Sequence, residues 1–175
     1  MTIKTTVEQL GASILRQKAR AVDDFACPKF HALLAELHRA MLDGNGVGIA
    51  APQLGESSQV IIVASRPTLR YPAAPLMAPI VMVNPTFQVV DGTLCKDWEG
   101  CLSVPGIRAL VPRYRAVRVN FRDVDGNARE KALDDFPARV FQHEYDHLQG
   151  LVYLDRVESN LDIISESEFF KLMAA

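Results

Sequence analysis

The chain has 175 residues, 49% hydrophobic and 23% charged, values of a globular protein with a real core rather than a disordered segment. A formal net charge of −2 gives no reason to expect DNA or an anionic membrane as the main partner. No apolar run approaches bilayer length, so one globular domain over residues 1–175 is the expectation.

From the N-terminus, MTIKTTVEQLGASILRQKARAV lacks the apolar stretch of a secretory signal, and Glu8, Asp23 and Asp24 argue against a transit peptide. Cys27, Cys95 and Cys101 are odd in number and irregularly spaced, which points away from a disulfide framework and towards a reduced, cytoplasmic compartment. Residues 28–43 predict an amphipathic helix: Pro28 suits its first turn, Phe30, Leu33, Leu34, Leu37 and Met41 share a face, and Gly44 stops it. A glycine- and alanine-rich loop follows at 46–53, then a buried strand at 59–64. With four prolines, RPTLRYPAAPLMAP (66–79) reads as a surface excursion.

Short strands are expected at 80–84, 86–90 and 116–122, the last alternating strictly and closed into a hairpin by Asp125-Gly126. Asp134 or Asp135 can cap a helix with Pro137 in its first turn and Gly150 just past its end. A last helix is predicted at 160–173, with Leu161, Ile164, Phe169 and Leu172 on its apolar side. Strands grouped between helices, without regular alternation, make α+β the expected class.

Inside the capped helix lies FQHEYDHLQG (141–150). Residues four apart share a helix face, so His143 and His147 can point at one ion, with Glu144 beside them as a proton acceptor for water. The plain alternative is two histidines on a solvated face. A catalytic site also needs a third ligand and an open position. The extended pattern HExxHxxGxxH fails, because Tyr153 stands where its third histidine belongs. Glu166 or Glu168 would make a metallopeptidase, though a solvated face with Lys171 also accounts for them. Cys101, in WEGCLSVPG, offers a thiolate, and a Cys/His/His set suits Zn²⁺ or Fe²⁺. Cys27 and Cys95 have no motif around them and read as small buried apolar residues, and His31 and His38, seven apart on the 28–43 helix, read as surface histidines.

GVGIAAPQ (46–53), EGCLS (99–103) and HEYDHLQG (143–150) together resemble, in order, the three motifs of the peptide deformylases, and the likeness extends over roughly residues 10–156. The resemblance implies short, mainly antiparallel sheets packed around the central HExxH helix. It implies hydrolysis of the N-formyl group from the methionine of nascent N-formylmethionyl peptides, with release of formate, in a bacterial cytoplasm and with transient ribosome contact. It places one divalent ion, Fe²⁺ before Zn²⁺, Ni²⁺ or Co²⁺, on Cys101, His143 and His147, and an ionised water as nucleophile. Glu144 becomes the acid/base, and the Gln53 amide and the Leu102 backbone N–H become oxyanion donors.

Gly46 and Gly48 leave room for a peptide to pair as an added strand, and Val47 and Val140 are candidates to line a methionine slot. Asp146 and Arg113 are candidates to orient the histidines or brace the helix. A non-catalytic metal-binding or ribosome-associated relative is the other alternative; Glu144 and Gln53 argue against it. Two departures stand out. Asn45 occupies a position that is acidic in some members, which leaves Arg108 without an expected partner, and the tail ESEFFKLMAA is acidic rather than basic.

Overall fold

Proline at the first helical position loses no hydrogen bond, and the computed structural model, which describes residues 6–174, begins helix α1 (Pro28–Asp43) there. Phe30, Leu37, Ala40 and Met41 form its buried face, and the Gly44 N–H closes it on the Ala40 carbonyl. The following loop is more ordered than expected. Asn45 turns the chain at φ 50°, β1 (Gly48–Ala50) forms, and a 3-10 turn (Ala51–Leu54) ends at Gly55 with φ 78°.

β2 (Val60–Ser65) is buried throughout because it packs on both faces. Val60, Ile62 and Ala64 meet the α1 cluster, whereas Ile61 and Val63 join the cluster around α2. The two strands expected at 80–84 and 86–90 are one long strand, β3 (Met77–Cys101), which starts inside the proline-rich excursion. The break suggested by Asn84-Pro85 survives as a register shift between Val83 and Thr86; Asn84 has φ 49°, and its side chain bonds both backbone groups of Val22. β4 (Val104–Arg122) begins far ahead of the strand expected at 116–122, and it meets β5 (Ala128–Asp134) across a turn where Gly126 has φ 82°.

Every named strand pair is antiparallel, in the order β1-β2-β3-β4-β5, with β6 (Ile163–Ser165) added to β4 at Ile107–Ala109. This is the expected α+β class. The predicted last helix needs correction: Asn160–Asp162 is a 3-10 turn, 163–165 is β6, and only Glu166–Ala174 is helix (α3). β-Branched Ile163 and Ile164 find an open stretch of β4 to pair with, and the Ser165 hydroxyl then accepts the Glu168 N–H to start α3. Leu161 is consequently exposed, while Phe169 is buried.

Helix α2 (Asp135–Leu148) lies against the sheet with Ala138, Phe141 and Leu148 in the core. Asp134 takes the N-cap position, though its side chain makes no capping bond. Gly150, at φ 75°, follows the helix, and a Cβ there would sit 2.9 Å from the Arg16 backbone. The opposite face of α2 is polar and also buried: His143, Glu144, Asp146 and His147. Buried polar groups need partners, and that need shapes the site. Among the described residues, no helix is long and apolar enough to cross a membrane.

Candidate active site

One helical turn separates His143 from His147, so both rings leave α2 on the same side. Cys101 ends β3 beside them, where a register shift after Glu99 turns the chain. The ligand atoms of Cys101, His143 and His147 all lie within 4.8 Å of one another, and Cys101 Sγ is 3.3 Å from His147 Nε2. Among the described residues, no other His, Cys, Asp or Glu joins this group. Burial alone would push the Cys101 thiol up, but the neighbouring imidazoles, His147 foremost, hold it well below its ordinary range. A thiolate with two imidazole nitrogens fits Fe²⁺ or Zn²⁺, and three protein donors leave a position free.

Behind the donors runs a buried chain of charges. His143 Nδ1 lies 2.9 Å from Glu99 Oε2, which keeps the proton on Nδ1 and leaves Nε2 as the donor nitrogen. Glu99 accepts from Arg113 at 2.9 and 3.0 Å and from Arg139 at 2.8 Å. Arg113 reaches Asp146 at 2.6 Å, and Asp146 accepts Arg156 at 2.7 Å. Arg113 and Asp146 therefore brace the helix, with Glu99 as the link to His143. Burial would raise the Glu99 carboxyl, yet Arg113 and His143 hold it well below the usual carboxylate range. Removing the central cation leaves Glu99 with only Arg139 and His143, and Asp146 with only the half-exposed Arg156. Arg113→Ala is therefore expected to cost about 3 kcal/mol, the lower end for breaking a buried pair, read by urea unfolding; a loss under about 1 kcal/mol would contradict this.

Glu99 and Arg139 were not singled out from sequence. Glu99 had a signal: two residues before Cys101 on a strand, an acid shares the cysteine's face.

Gln53 is 2% exposed, and its Oε1 accepts the Ala50 N–H at 2.9 Å. Its NH₂ is thereby turned to Ser103 Oγ at 3.1 Å and Cys101 Sγ at 3.4 Å. Glu144 lies across the site, buried, with Oε2 lacking any partner. Burial pushes its carboxyl up to about 7, against the pull of the two histidines. A Cβ on Gly48 would fall 2.3 Å from Glu144 Oε1, so only glycine lets β1 lie against that carboxyl.

A cleft of about 170 Å³ opens here, lined by Val47, Gly48, Gln53, Cys101, Leu102, Val140, His143 and Glu144. Of the residues the motif resemblance assigns to metal, catalysis or substrate, all line it except His147, which is fully buried; Asp146 and Arg113 lie outside the lining. The metallopeptidase alternative loses its ligand. Glu168 pairs with Lys171 at 2.7 Å, while Glu166 pairs with Arg108 and Arg70 instead of joining the histidines. Glu166 is thus no plain solvated residue: it lines the cleft and supplies the partner that Asn45 withholds from Arg108. Cys27 and Cys95 are free but not buried as expected, Cys27 being half-buried and Cys95 exposed; His31 and His38 are exposed on α1, and all four lie outside the cluster.

Comparison with known proteins agrees with this geometry. The profile of the polypeptide deformylase family matches residues 4–162. Peptide deformylase 2 of Nostoc sp. is 48% identical over 165 residues, covering 94% of this chain and 92% of that protein. Peptide deformylase 1 of Nitrosomonas europaea is 42% identical over 151 residues, covering 86% of each. Among solved structures, the class I type b peptide deformylase of Acinetobacter baumannii bound to Met-Ala-Ser superposes with a TM-score of 0.86 at 42% identity, covering 90% of this chain and 100% of that one. A deformylase of Synechococcus elongatus in complex with actinonin gives 0.80 at 31% identity, covering 93% and 84%.

Proposed function

This chain belongs to the peptide deformylase family and removes the N-formyl group from the first methionine of new polypeptides, and we propose that it does so in the cleft beside Cys101, His143 and His147. The observation that carries the assignment is the convergence of those three donors within 4.8 Å next to a buried carboxyl with a partnerless oxygen. The family is metal-dependent, and we assign the three side chains as ligands of one divalent ion: Fe²⁺, with Zn²⁺, Ni²⁺ or Co²⁺ as substitutes. Such an ion, when bound, supplies the Lewis acidity that lets water ionise near neutral pH.

The remaining work falls to the protein. Glu144 takes a proton from water as its oxygen adds to the formyl carbon, holds it on the carboxyl, and returns it to the methionine nitrogen as the C–N bond breaks. Burial, which favours the protonated form of Glu144, suits that carboxyl to hold the proton between the two halves of the exchange. The Gln53 Nε2–H and the Leu102 backbone N–H donate to the oxygen that gains charge, each worth about 3–4 kcal/mol of transition-state stabilisation in comparable sites. Because Oε1 of Gln53 is tied to the backbone, its amide presents donors without reorganising.

Val47 and Val140 offer the methionine side chain an apolar slot. β1 is the outermost strand of the sheet, so an incoming peptide can add alongside 46–48 through its main chain, which suits an enzyme that accepts many sequences. We place this chemistry in one catalytic domain acting on nascent chains in the bacterial cytoplasm, where reducing conditions keep the Cys101 thiol available. Transient contact with the ribosome belongs to the same proposal.

The direct test is turnover of formyl-Met-Ala against acetyl-Met-Ala. Formate release from the first and inertness of the second are expected. No turnover of formyl-Met-Ala by the metal-loaded chain, or cleavage of the Met-Ala bond instead, would overturn the reading.

A further inference from the structure

We propose that Arg70, in the segment between β2 and β3, reads charge on the substrate beyond its formyl-methionine and favours an acidic side chain there; the inference rests on the deformylase reading of the cleft. Three charged residues from distant parts of the chain meet on the cleft lining: Arg70, Arg108 of β4 and Glu166 at the start of α3. Arg108 is 4% exposed. Its guanidinium lies 5.4 Å over the Phe169 ring, donates to Tyr71 Oη at 3.3 Å, and pairs with Glu166 Oε1. Arg70 shares that same Glu166 oxygen through Nε at 3.3 Å.

One carboxylate therefore faces two guanidiniums, and the deeper one holds it. Arg70 is left as the less neutralised cation. The other ionisable groups of the lining do not alter this balance: Arg139 is paired with Glu99, and Cys101, His143 and Glu144 belong to the donor end.

Exposure tells which end of the cleft this is. His143, Glu144, Arg108 and Arg139 are buried, whereas the side chains of Arg70 and Glu166 are 31% and 28% exposed. A peptide anchored by its formyl group at the buried donors leaves the cleft through the part-exposed end. Its second or third residue then passes a site with two cations and one anion. Attraction to a part-exposed charge is modest and screened by salt, about three- to fivefold in kcat/KM.

The test uses the metal-loaded enzyme with formyl-Met-Xaa-Ala-amide and formyl-Met-Ala-Xaa-amide, Xaa being Glu, Gln or Lys, so that no free carboxylate competes. At one of the two positions, kcat/KM is expected to fall in the order Glu, Gln, Lys, with the spread shrinking in 0.5 M NaCl, roughly a 4 Å screening length. Arg70→Gln should collapse the Glu-to-Lys ratio, Arg70→Lys should keep it, and Glu166→Gln should enlarge it. Reading ratios within each variant separates the effect from any loss of folded enzyme. Absence of a charge preference in the wild type at both positions, or a ratio unchanged by Arg70→Gln, would overturn the inference while leaving deformylation intact. Failure to hydrolyse the Gln peptides at all would overturn the functional reading itself.

Discussion

Cys101→Ser is expected to strip the ion from the purified chain and abolish deformylation. A serine hydroxyl does not ionise near neutral pH, and it replaces a soft, charged donor with a hard, neutral one. It also removes the partner that Gln53 Nε2, the Ser103 N–H and His147 Nε2 all approach. Groups that merely orient a metal ligand cost about 10–100-fold in affinity or activity when mutated, so losing a ligand should cost more than about a hundredfold. Metal content and kcat/KM measured on the same preparation check this. Had Glu166 been the third ligand, the substitution would have mattered little; a variant that keeps one ion per chain and near-normal turnover would revive that alternative.

Glu144→Gln is expected to keep both the fold and the ion while lowering kcat by about 10²–10⁴-fold, the range for removing a positioned proton-transfer group. The amide has the size of the carboxyl, so the close packing on Gly48 is retained. KM should move little, because the lost interaction belongs to the transition state. Stability gives a second readout with a definite sign. In the metal-free chain the Glu144 pKa is raised on folding, so the folded state binds more protons than the unfolded one between the ordinary carboxylate range and about 7. Stability attributable to this group is present at low pH and is lost as pH rises through that window. Glu144→Gln removes the dependence, so the variant should gain in thermal melts relative to wild type above neutrality. A variant with full kcat, or one that has lost the ion, would show that Glu144 plays another part.

Both main helices were legible in the sequence because proline and glycine bracket them: Pro28 with Gly44, and Pro137 with Gly150. Between those marks, hydrophobic spacing chose the buried face. The long ribbon of β3 and β4 was hidden for the converse reason. Pro85 reads locally as a break, yet cross-strand pairing carries the ladder past it with a register shift, and Pro112 likewise sits within the ladder opposite Lys96. β6 depends wholly on an open stretch of β4 far away in the chain, which no local pattern announces.

The same division holds at the site. Cys101, His143, His147 and Glu144 sit in short motifs whose spacing has direct physical meaning. Glu166, Arg70 and Tyr71 come together only when α3 and the proline-rich segment fold against β4. The acid that neutralises Arg108 could therefore not be read from Asn45 and its neighbours. In the sequence it looked like part of a solvated face with Glu168 and Lys171.

X-ray absorption at the metal edge, on protein purified without oxygen, tests the central claim most directly. The account predicts one ion per chain with one sulfur at about 2.3 Å, two imidazole nitrogens at about 2.0–2.1 Å and one light atom from solvent, the distances being those of a zinc-loaded site. A first shell without sulfur, or one closed by four protein side chains, would contradict it.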